Sequence, residues 1–297
     1  MAHRSRAPRR ALAVLIALGL CCAERAAALD WPVAARVITG TFGEDRGDHF
    51  HNGIDIGGGG QPVHPVLDGE VVFRYDDGTD YTSLPRGTGS FIVLRHDPHI
   101  RTLYAHLQAG SLGPVRDRYA ANDRIGAIGE TGHASGPHLH FAVFDEETGS
   151  ALNPLEFLPP VPDHQAPVIR RLYARVGDRL VPLDNGAVLK PGKTSIVAET
   201  YDLREDVAFR WPLAPVSATI SLDGRDVSRI SFDSLQVAGG QMAAGAARLT
   251  REQVWETGGL LICGTLDLKP GDSALRLSVR DLAGNEAVKA VSITVSP

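Results

Sequence analysis

The sequence predicts a mostly β protein of two domains joined by a proline-rich linker. Its 297 residues are enough for two domains of ordinary size. Short segments in which apolar and polar residues alternate recur along the chain, as in strands that bury one face. The run LPPVPDHQAP at residues 158–167 interrupts this pattern and is typical of a stiff linker. We therefore expect a first domain at residues 29–158, a linker at 159–167 and a second domain at 168–297.

The first 28 residues have the features of a secretory signal peptide. Arginines are frequent in residues 1–10, residues 11–20 are almost wholly apolar, and three alanines at 26–28 offer a cleavage site. The apolar run ends by Ala23, which is short for a bilayer span of about 20 residues. We expect a periplasmic protein, with secretion as the alternative, and no stable membrane insertion after cleavage.

The charge balance argues against nucleic acid as a partner. The chain has a formal net charge of −5 at pH 7, and removing five arginines and Glu24 with the leader takes it to −9. Binding to nucleic acid or anionic lipid depends on positive charge. Any substrate should therefore be recognised locally, in a groove.

Two segments of the first domain carry residues suited to a metal site. His51 and Asp55 lie four apart in HNGID, before a glycine run that marks a loop, so we expect them at a strand edge. His138 and His140 in HLH should enter one groove together while Leu139 points into the core. Together these segments can supply two imidazoles and one carboxylate to zinc and leave a histidine for chemistry.

A third segment, TLYAHL at residues 102–107, has the pattern of a strand. Strict alternation predicts that Thr102, Tyr104 and His106 share one face of that strand.

The motifs HNGID, YAHL and TGHASGPHLHF, in this order, resemble those of the lysostaphin-like or LytM-type zinc metallopeptidases. This family cleaves peptide cross-links of bacterial peptidoglycan. Further matches are GEVV at 69–72, His96, IGAIG at 125–129 and the closing Asn153-Pro154. The resemblance covers about residues 40–158 and implies a LytM-type peptidase domain built on an antiparallel β-sheet.

The resemblance also implies the roles of individual residues. It implies that His51, Asp55 and His140 bind one zinc ion per chain. It also implies that His106 and His138 act in catalysis beside the metal. Zinc lowers the pKa of bound water from 15.7 to about 7. Histidine can accept or donate protons near neutral pH. The sequence does not divide the roles of base and electrostatic partner between the two catalytic histidines.

The expected function is that of an exported zinc metalloendopeptidase that hydrolyses peptidoglycan stem-peptide cross-links by attack of zinc-bound water. One alternative is a non-catalytic LytM-type regulator of cell-wall amidases. Regulators of this kind have lost zinc ligands, whereas all five site positions are intact here. A second alternative is a secreted protease of glycine-rich proteins, which would share the same active site.

Other features near these motifs have more ordinary interpretations. His49 could share the face of His51, but we expect it to be a surface or core residue, like His64, His99 and His133. A structural hydrogen-bonding role is expected for His96. Residues 76–89 read as an extended loop that could form a groove wall through Tyr81 and Arg86.

The second domain is predicted to be an antiparallel, immunoglobulin-like β-sandwich. Residues 216–222 alternate and end at an Asp-Gly turn, residues 275–279 alternate, and residues 281–285 turn the chain into a third strand at 291–295. After loss of the leader Cys263 would be the only cysteine, and its apolar surroundings predict a buried residue. We expect no ligand cluster in this domain, which leaves it the role of a spacer or stabilising partner.

Overall fold

The structure, a computed structural model, describes residues 29–78, 87–96, 99–204 and 212–297. The predicted signal peptide and the predicted groove contacts Tyr81 and Arg86 lie outside the described residues. Within those ranges, no helix has the length and apolar character needed to cross a membrane.

Short strands form the part of the chain that precedes the linker. They are β1 Ile38–Gly40, β2 Ile54–Gly57, β3 Pro62–Val63, β4 Gly69–Tyr75, β5 Ser90–Arg95, β6 Ile100–Leu107, β7 Arg118–Tyr119, β8 Gly126–Ala127, β9 His138–Asp145 and β10 Ser150–Leu152, followed by a 3-10 helix at Pro154–Glu156.

β9 is the centre of the N-terminal sheet. It pairs antiparallel with β2, β6 and β10, and the sheet continues from β6 through β5 and β4 to β7. Apolar side chains from β2, β5, β6 and β9 form one core on one face of these strands. The antiparallel sheet predicted for this part is confirmed.

Strands also form almost all of the second part. They are β11 Val168–Val176, β12 Arg179–Pro182, β13 Ala187–Leu189, β14 Gly192–Tyr201, β15 Ser217–Leu222, β16 Arg225–Ser231, β17 Ser234–Ala238, β18 Gln241–Ala244, β19 Leu249–Thr250, β20 Trp255–Glu256, β21 Leu260–Leu268, β22 Gly271–Arg280 and β23 Glu286–Val295, with one helical turn, α1, at Arg251–Val254.

Two five-stranded sheets give this part the predicted β-sandwich. Their strand orders are β12-β11-β14-β21-β20 and β13-β23-β22-β15-β16, and one apolar core joins them. The predicted strands β15, β22 and β23 are present, although Ser217, Ser221 and Ser278 are buried and the alternation is therefore incomplete. Burial of Cys263 is confirmed, and it raises the thiol pKa to about 12. The pairing is not wholly antiparallel: β13 crosses from one sheet to the other after β12 and runs parallel to β23.

Strands from the second part also extend the N-terminal sheet. β17 pairs with β10, placing Ala151 opposite Leu235, and β18 and β19 continue the sheet outward. Leu235 and Ala151 are both fully buried in the core of the sandwich. The two parts are therefore joined by main-chain hydrogen bonds and by a shared core in addition to the linker.

Three buried aspartates meet where the two parts join. Asp163 of the linker, Asp202 after β14 and Asp281 after β22 bring their carboxylates within 4.8 Å of one another. Arg204 lies 3.4 Å from Asp163, and the amide of Asn285 donates to Asp281 over 2.8 Å. No such cluster was expected in the second domain, because its three members lie far apart in the chain.

This cluster predicts a pH dependence of stability. Burial, reinforced by the charges of Asp281 and Asp163, raises the pKa of Asp202 from 3.8 to about 7. The folded protein then holds a proton that the unfolded chain releases, so the stability contributed by Asp202 is full below about pH 4 and is lost as pH rises to about 7. Asp202→Asn should remove this loss and keep the acceptor for the backbone N–H of Leu203.

We therefore expect Asp202→Asn to raise Tm above that of the unaltered protein at pH 8, with a much smaller difference at pH 4.5. In a protein of 150–250 residues, Tm should rise by about 2–4 °C for each kcal/mol added to the free energy of unfolding. Calorimetry at the two pH values measures the effect, with Asp178→Asn at an exposed turn as the control. An equal change in Tm at both pH values would contradict the prediction.

Candidate active site and metal centre

The pairing of β2 with β9 builds the candidate site. Asp55 on β2 lies directly opposite His140 on β9, and His138 lies two residues before His140 on the same strand. Leu139 is fully buried, which confirms the predicted alternation. His51 lies in the turn that leads into β2, so it approaches the same point from outside the strand.

Three side-chain atoms converge at this point. His51 Nε2 lies 3.1 Å from Asp55 Oδ1 and 3.0 Å from His140 Nδ1, and His140 Nδ1 lies 3.2 Å from Asp55 Oδ1. A tetrahedral ion with bonds of about 2.0–2.1 Å has ligand atoms about 3.3 Å apart. The triangle is close to that size, so these three side chains could hold a metal ion after only small shifts.

The charge states of the three side chains also suit a metal. The Nδ1 of His51 donates to the Thr41 carbonyl over 2.8 Å, so Nε2 is the ring nitrogen that faces the site. Burial lowers the pKa of His140 to about 4, which keeps that ring neutral. Burial alone would raise the pKa of Asp55, but the adjacent His51 and His140 outweigh it and hold that pKa well below its usual range. The set therefore offers a neutral imidazole from His140, a carboxylate from Asp55 and the Nε2 atom of His51.

The prediction that His106 shares a strand face with Tyr104 is wrong. Tyr104 does face the core, opposite Phe141, where its hydroxyl accepts the Val66 N–H. The backbone of His106, however, is left-handed, with φ of 58°, and this breaks the alternation of β6. Its ring lies 4.8 Å from that of His138, centroid to centroid, instead of beside Tyr104. A single left-handed residue thus turns the histidine toward the site.

His106 and His138 are held in the same way. Nδ1 of His106 donates to the Thr131 carbonyl over 2.8 Å, and Nδ1 of His138 donates to the Gly136 carbonyl over 2.9 Å. Each neutral ring therefore has its Nε2 lone pair unused by these bonds. Nε2 of His138 lies 3.6 Å from Asp55 Oδ1. Burial is the main cause that lowers the pKa of His106.

The five residues lie in an open groove of about 1040 Å³ whose margins include His49, His133 and Pro212. The His49 side chain is 64% exposed and contacts Asp48, so it faces solvent and not the three converging atoms. Pro212 belongs to the second part of the chain, which therefore contributes to the groove. A second cavity, of about 510 Å³, lies at the junction beside the aspartate cluster and does not contain these histidines.

Histidines outside the groove have the ordinary roles expected for them. His96 contacts the Asp68 carbonyl and the Thr102 hydroxyl through its two ring nitrogens, at 3.1 and 2.7 Å, which confirms its structural role. His64 contacts the Asp123 carbonyl, and His99 is exposed.

Besides Thr41, another residue that spacing does not predict touches the site. Arg46 donates to Asp55 Oδ2 over 2.7 Å and lies 3.2 Å from Glu44. A Cβ at Gly40 would lie 2.6 Å from both Arg46 Nη2 and Asp55 Oδ2, so only glycine permits this contact. No spacing rule marks an arginine nine residues before its partner across a turn, and the sequence held no signal for it.

Comparisons with known proteins find relatives of the part of the chain that contains these residues. The profile of peptidase family M23 matches residues 49–154, and a different family profile matches residues 166–296. The DD-carboxypeptidase/endopeptidase Mpg of Neisseria meningitidis serogroup B is 33% identical over 115 residues, which are 38% of this chain and 24% of that protein. The murein hydrolase activator NlpD of Escherichia coli K12 is 33% identical over 130 residues, which are 43% of this chain and 31% of that protein.

The chain thus spans about a quarter to a third of the length of these relatives. Among solved structures, a zinc-containing peptidase from Vibrio cholerae is 28% identical, with TM-score 0.36 over 46% of this chain and 41% of that one. The catalytic domain of lysostaphin from Staphylococcus simulans is 26% identical, with TM-score 0.32 over 39% of this chain and 87% of that one. By its sequence match at residues 49–154, this chain carries a peptidase domain of family M23, the LytM-type family.

Proposed function

We propose that this protein is an exported zinc-dependent metalloendopeptidase that hydrolyses peptide cross-links of bacterial peptidoglycan. One observation carries the proposal: a metal-capable set of His51, Asp55 and His140 lies beside two further imidazoles in an open groove. The peptidase family of the domain supports it, as does the relative named as a DD-carboxypeptidase/endopeptidase. The signal-like leader is consistent with a periplasmic location, with secretion as the alternative.

The three converging side chains fit zinc, one ion per chain. When bound, zinc would make water nucleophilic near neutral pH and polarise the scissile carbonyl. Asp55 and the two neutral rings would together carry a single negative charge, which leaves the ion able to act as a Lewis acid. Thr41 and Arg46 orient His51 and Asp55 from behind, through the 2.8 and 2.7 Å contacts described above.

His106 and His138 would handle the protons of the reaction. Both rings have Nδ1 occupied by a carbonyl, which fixes the tautomer with Nε2 as proton acceptor. The lowered pKa of His106 keeps that ring neutral at pH 7, ready to accept a proton from attacking water. A ring that has gained the proton can deliver it to the leaving amine. Either histidine can fill each role: His138 Nε2 lies 3.6 Å from Asp55 Oδ1, and the His106 ring lies 4.8 Å from that of His138.

A second candidate function is favoured by one of the comparisons. The relative NlpD carries the name of a murein hydrolase activator, and it is as similar to this chain as Mpg is. A non-catalytic regulator of amidases would not need its metal ligands and two oriented imidazoles. The presence of both the metal-capable side chains and the two oriented imidazoles supports the enzymatic function. Measurements of zinc binding and of peptidoglycan digestion separate the two functions.

Zinc binding should divide the five residues into two groups. His140→Ala removes a ligand and should weaken zinc binding by at least 100-fold, because a catalytic zinc has only three protein ligands. His106→Ala and His138→Ala should each retain one zinc ion per chain, since neither ring is needed to hold the ion. Competition with a chromophoric chelator measures the affinities. Equal loss of zinc in all three variants would contradict these assignments.

Digestion of purified peptidoglycan sacculi tests the activity itself. The zinc-loaded protein should release peptides with new termini inside the cross-links, identified by mass spectrometry. His106→Ala and His138→Ala should lose at least 100-fold in rate, in keeping with the loss of a general acid or base.

Three other outcomes would count against the proposal. Zinc-loaded, folded protein that releases nothing alone but stimulates a separate amidase would favour the regulator. Cleavage of an oligoglycine peptide without action on sacculi would favour a protease of glycine-rich proteins. Release of the same products by His140→Ala would show that the proposed zinc site is not responsible.

A further inference from the structure

Residues 41–50, called here the anchor loop, connect β1 to His51 and lie between the site and the second part of the chain. The loop folds back on itself: Gly43 donates to the His51 carbonyl over 2.8 Å, and His51 donates to the Glu44 carbonyl over 2.9 Å. The position of His51 is therefore coupled directly to the shape of this loop.

One side of the anchor loop supplies the outer partners of two candidate ligands. The Thr41 carbonyl accepts from Nδ1 of His51 over 2.8 Å. The Arg46 guanidinium donates to Asp55 Oδ2 over 2.7 Å, on the oxygen that faces away from the metal-capable atoms. Glu44 accepts from the Thr41 N–H over 2.7 Å and lies 3.2 Å from Arg46. Such partners fix the orientation of a ligand and its basicity.

The other side of the anchor loop is held by polar groups of the second part. Asp45 accepts two hydrogen bonds from Arg251, at 2.8 and 2.7 Å, in a paired arrangement of the strongest kind. Trp255 donates through its indole Nε1 to the Gly43 carbonyl over 3.0 Å. The Ala214 N–H lies 3.1 Å from the Thr41 hydroxyl, which itself donates to the Ala214 carbonyl.

Apolar packing closes the loop on the same side. Phe42 and Phe50 are 2% and 1% exposed and belong to the core of the β-sandwich, not to that of the N-terminal sheet. Phe50 makes an edge contact with Phe232, which stacks on Trp255. Gly43 has φ of 85°, and a Cβ there would lie 2.3 Å from the Phe232 ring. The loop therefore has little room to move unless the second part moves with it.

From these contacts we infer that the β-sandwich is a working part of the metal centre: through the anchor loop it holds Thr41 and Arg46 in the positions that orient His51 and Asp55. The inference rests on the proposed zinc-binding function. Arg46 is then a positioning residue one contact from the metal, and Arg251 positions it from the second part. The Arg251 and Asp45 side chains are only 14% and 12% exposed, so breaking the pair leaves a nearly buried charge and should loosen the loop.

Zinc affinity of the whole protein provides the test, measured by chelator competition at one pH. Arg46→Ala should weaken zinc binding by about 10–100-fold, the usual loss when an outer partner is removed. Arg251→Ala and Asp45→Ala, which touch no candidate ligand, should each weaken it by about 3–10-fold. Asp45 also accepts the Gly47 N–H over 2.8 Å, so the double variant should lose no more than Asp45→Ala alone, since Arg251→Ala breaks only an interaction that Asp45→Ala already removes.

A control separates positioning from general loss of stability. Ile293 on β23 is 1% exposed and pairs with Ala187 of β13 and Ser273 of β22. Ile293→Val should cost about 0.5–1.5 kcal/mol of stability. We expect its zinc affinity to equal that of the unaltered protein. The visible absorption spectrum of the cobalt-substituted protein should change in Arg46→Ala and Arg251→Ala but not in Ile293→Val.

The results distinguish failure of this inference from failure of the proposed function. Tight zinc binding by the unaltered protein, with equal affinity and an equal cobalt spectrum in Arg251→Ala, would overturn the role of the anchor loop alone. A loss in Ile293→Val as large as that in Arg251→Ala would overturn it in favour of general destabilisation. Absence of zinc binding by the unaltered protein would overturn the proposed function, and this inference with it.

Discussion

The site depends on one constraint. Three side-chain atoms that donate electron pairs must be held about 3 Å from one another, although without a bound cation they do not attract one another. Two imidazoles and an ionised carboxylate meet this way at His51, His140 and Asp55. Strand pairing supplies part of the solution, since Asp55 lies opposite His140 between β2 and β9. Hydrogen bonds behind the ligands supply the rest, from the Thr41 carbonyl and from Arg46.

The requirements of the site also explain why β6 departs from regular strand geometry at His106. A regular strand would direct His106 into the core beside Tyr104, where a polar ring would need a partner. A left-handed residue other than glycine costs on the order of 1–3 kcal/mol, and such strain is found mainly at functional sites. Hydrogen bonds offset the cost: the His106 backbone contacts Thr88 and Gly129, and its ring donates to Thr131.

Local spacing was enough to predict much of this molecule. The intervals within HNGID and HLH located four of the five groove residues, and alternation located β15, β22 and β23, because a strand with one buried face has a period of two. Prediction failed where the cause is distant in sequence. The turn of His106, the contact of Arg46 with Asp55, the aspartate cluster and the pairing of β10 with β17 all depend on segments that only the folded chain brings together.

The most direct test of this account is the location of zinc in the protein. Crystals of the zinc-loaded protein, measured on both sides of the zinc absorption edge, would show the ion as an anomalous peak. We expect one strong peak per chain, at about 2.0–2.2 Å from His51 Nε2, Asp55 Oδ1 and His140 Nδ1. A zinc-loaded crystal with its peak at the Asp163, Asp202 and Asp281 cluster, or with no peak in the groove, would contradict it.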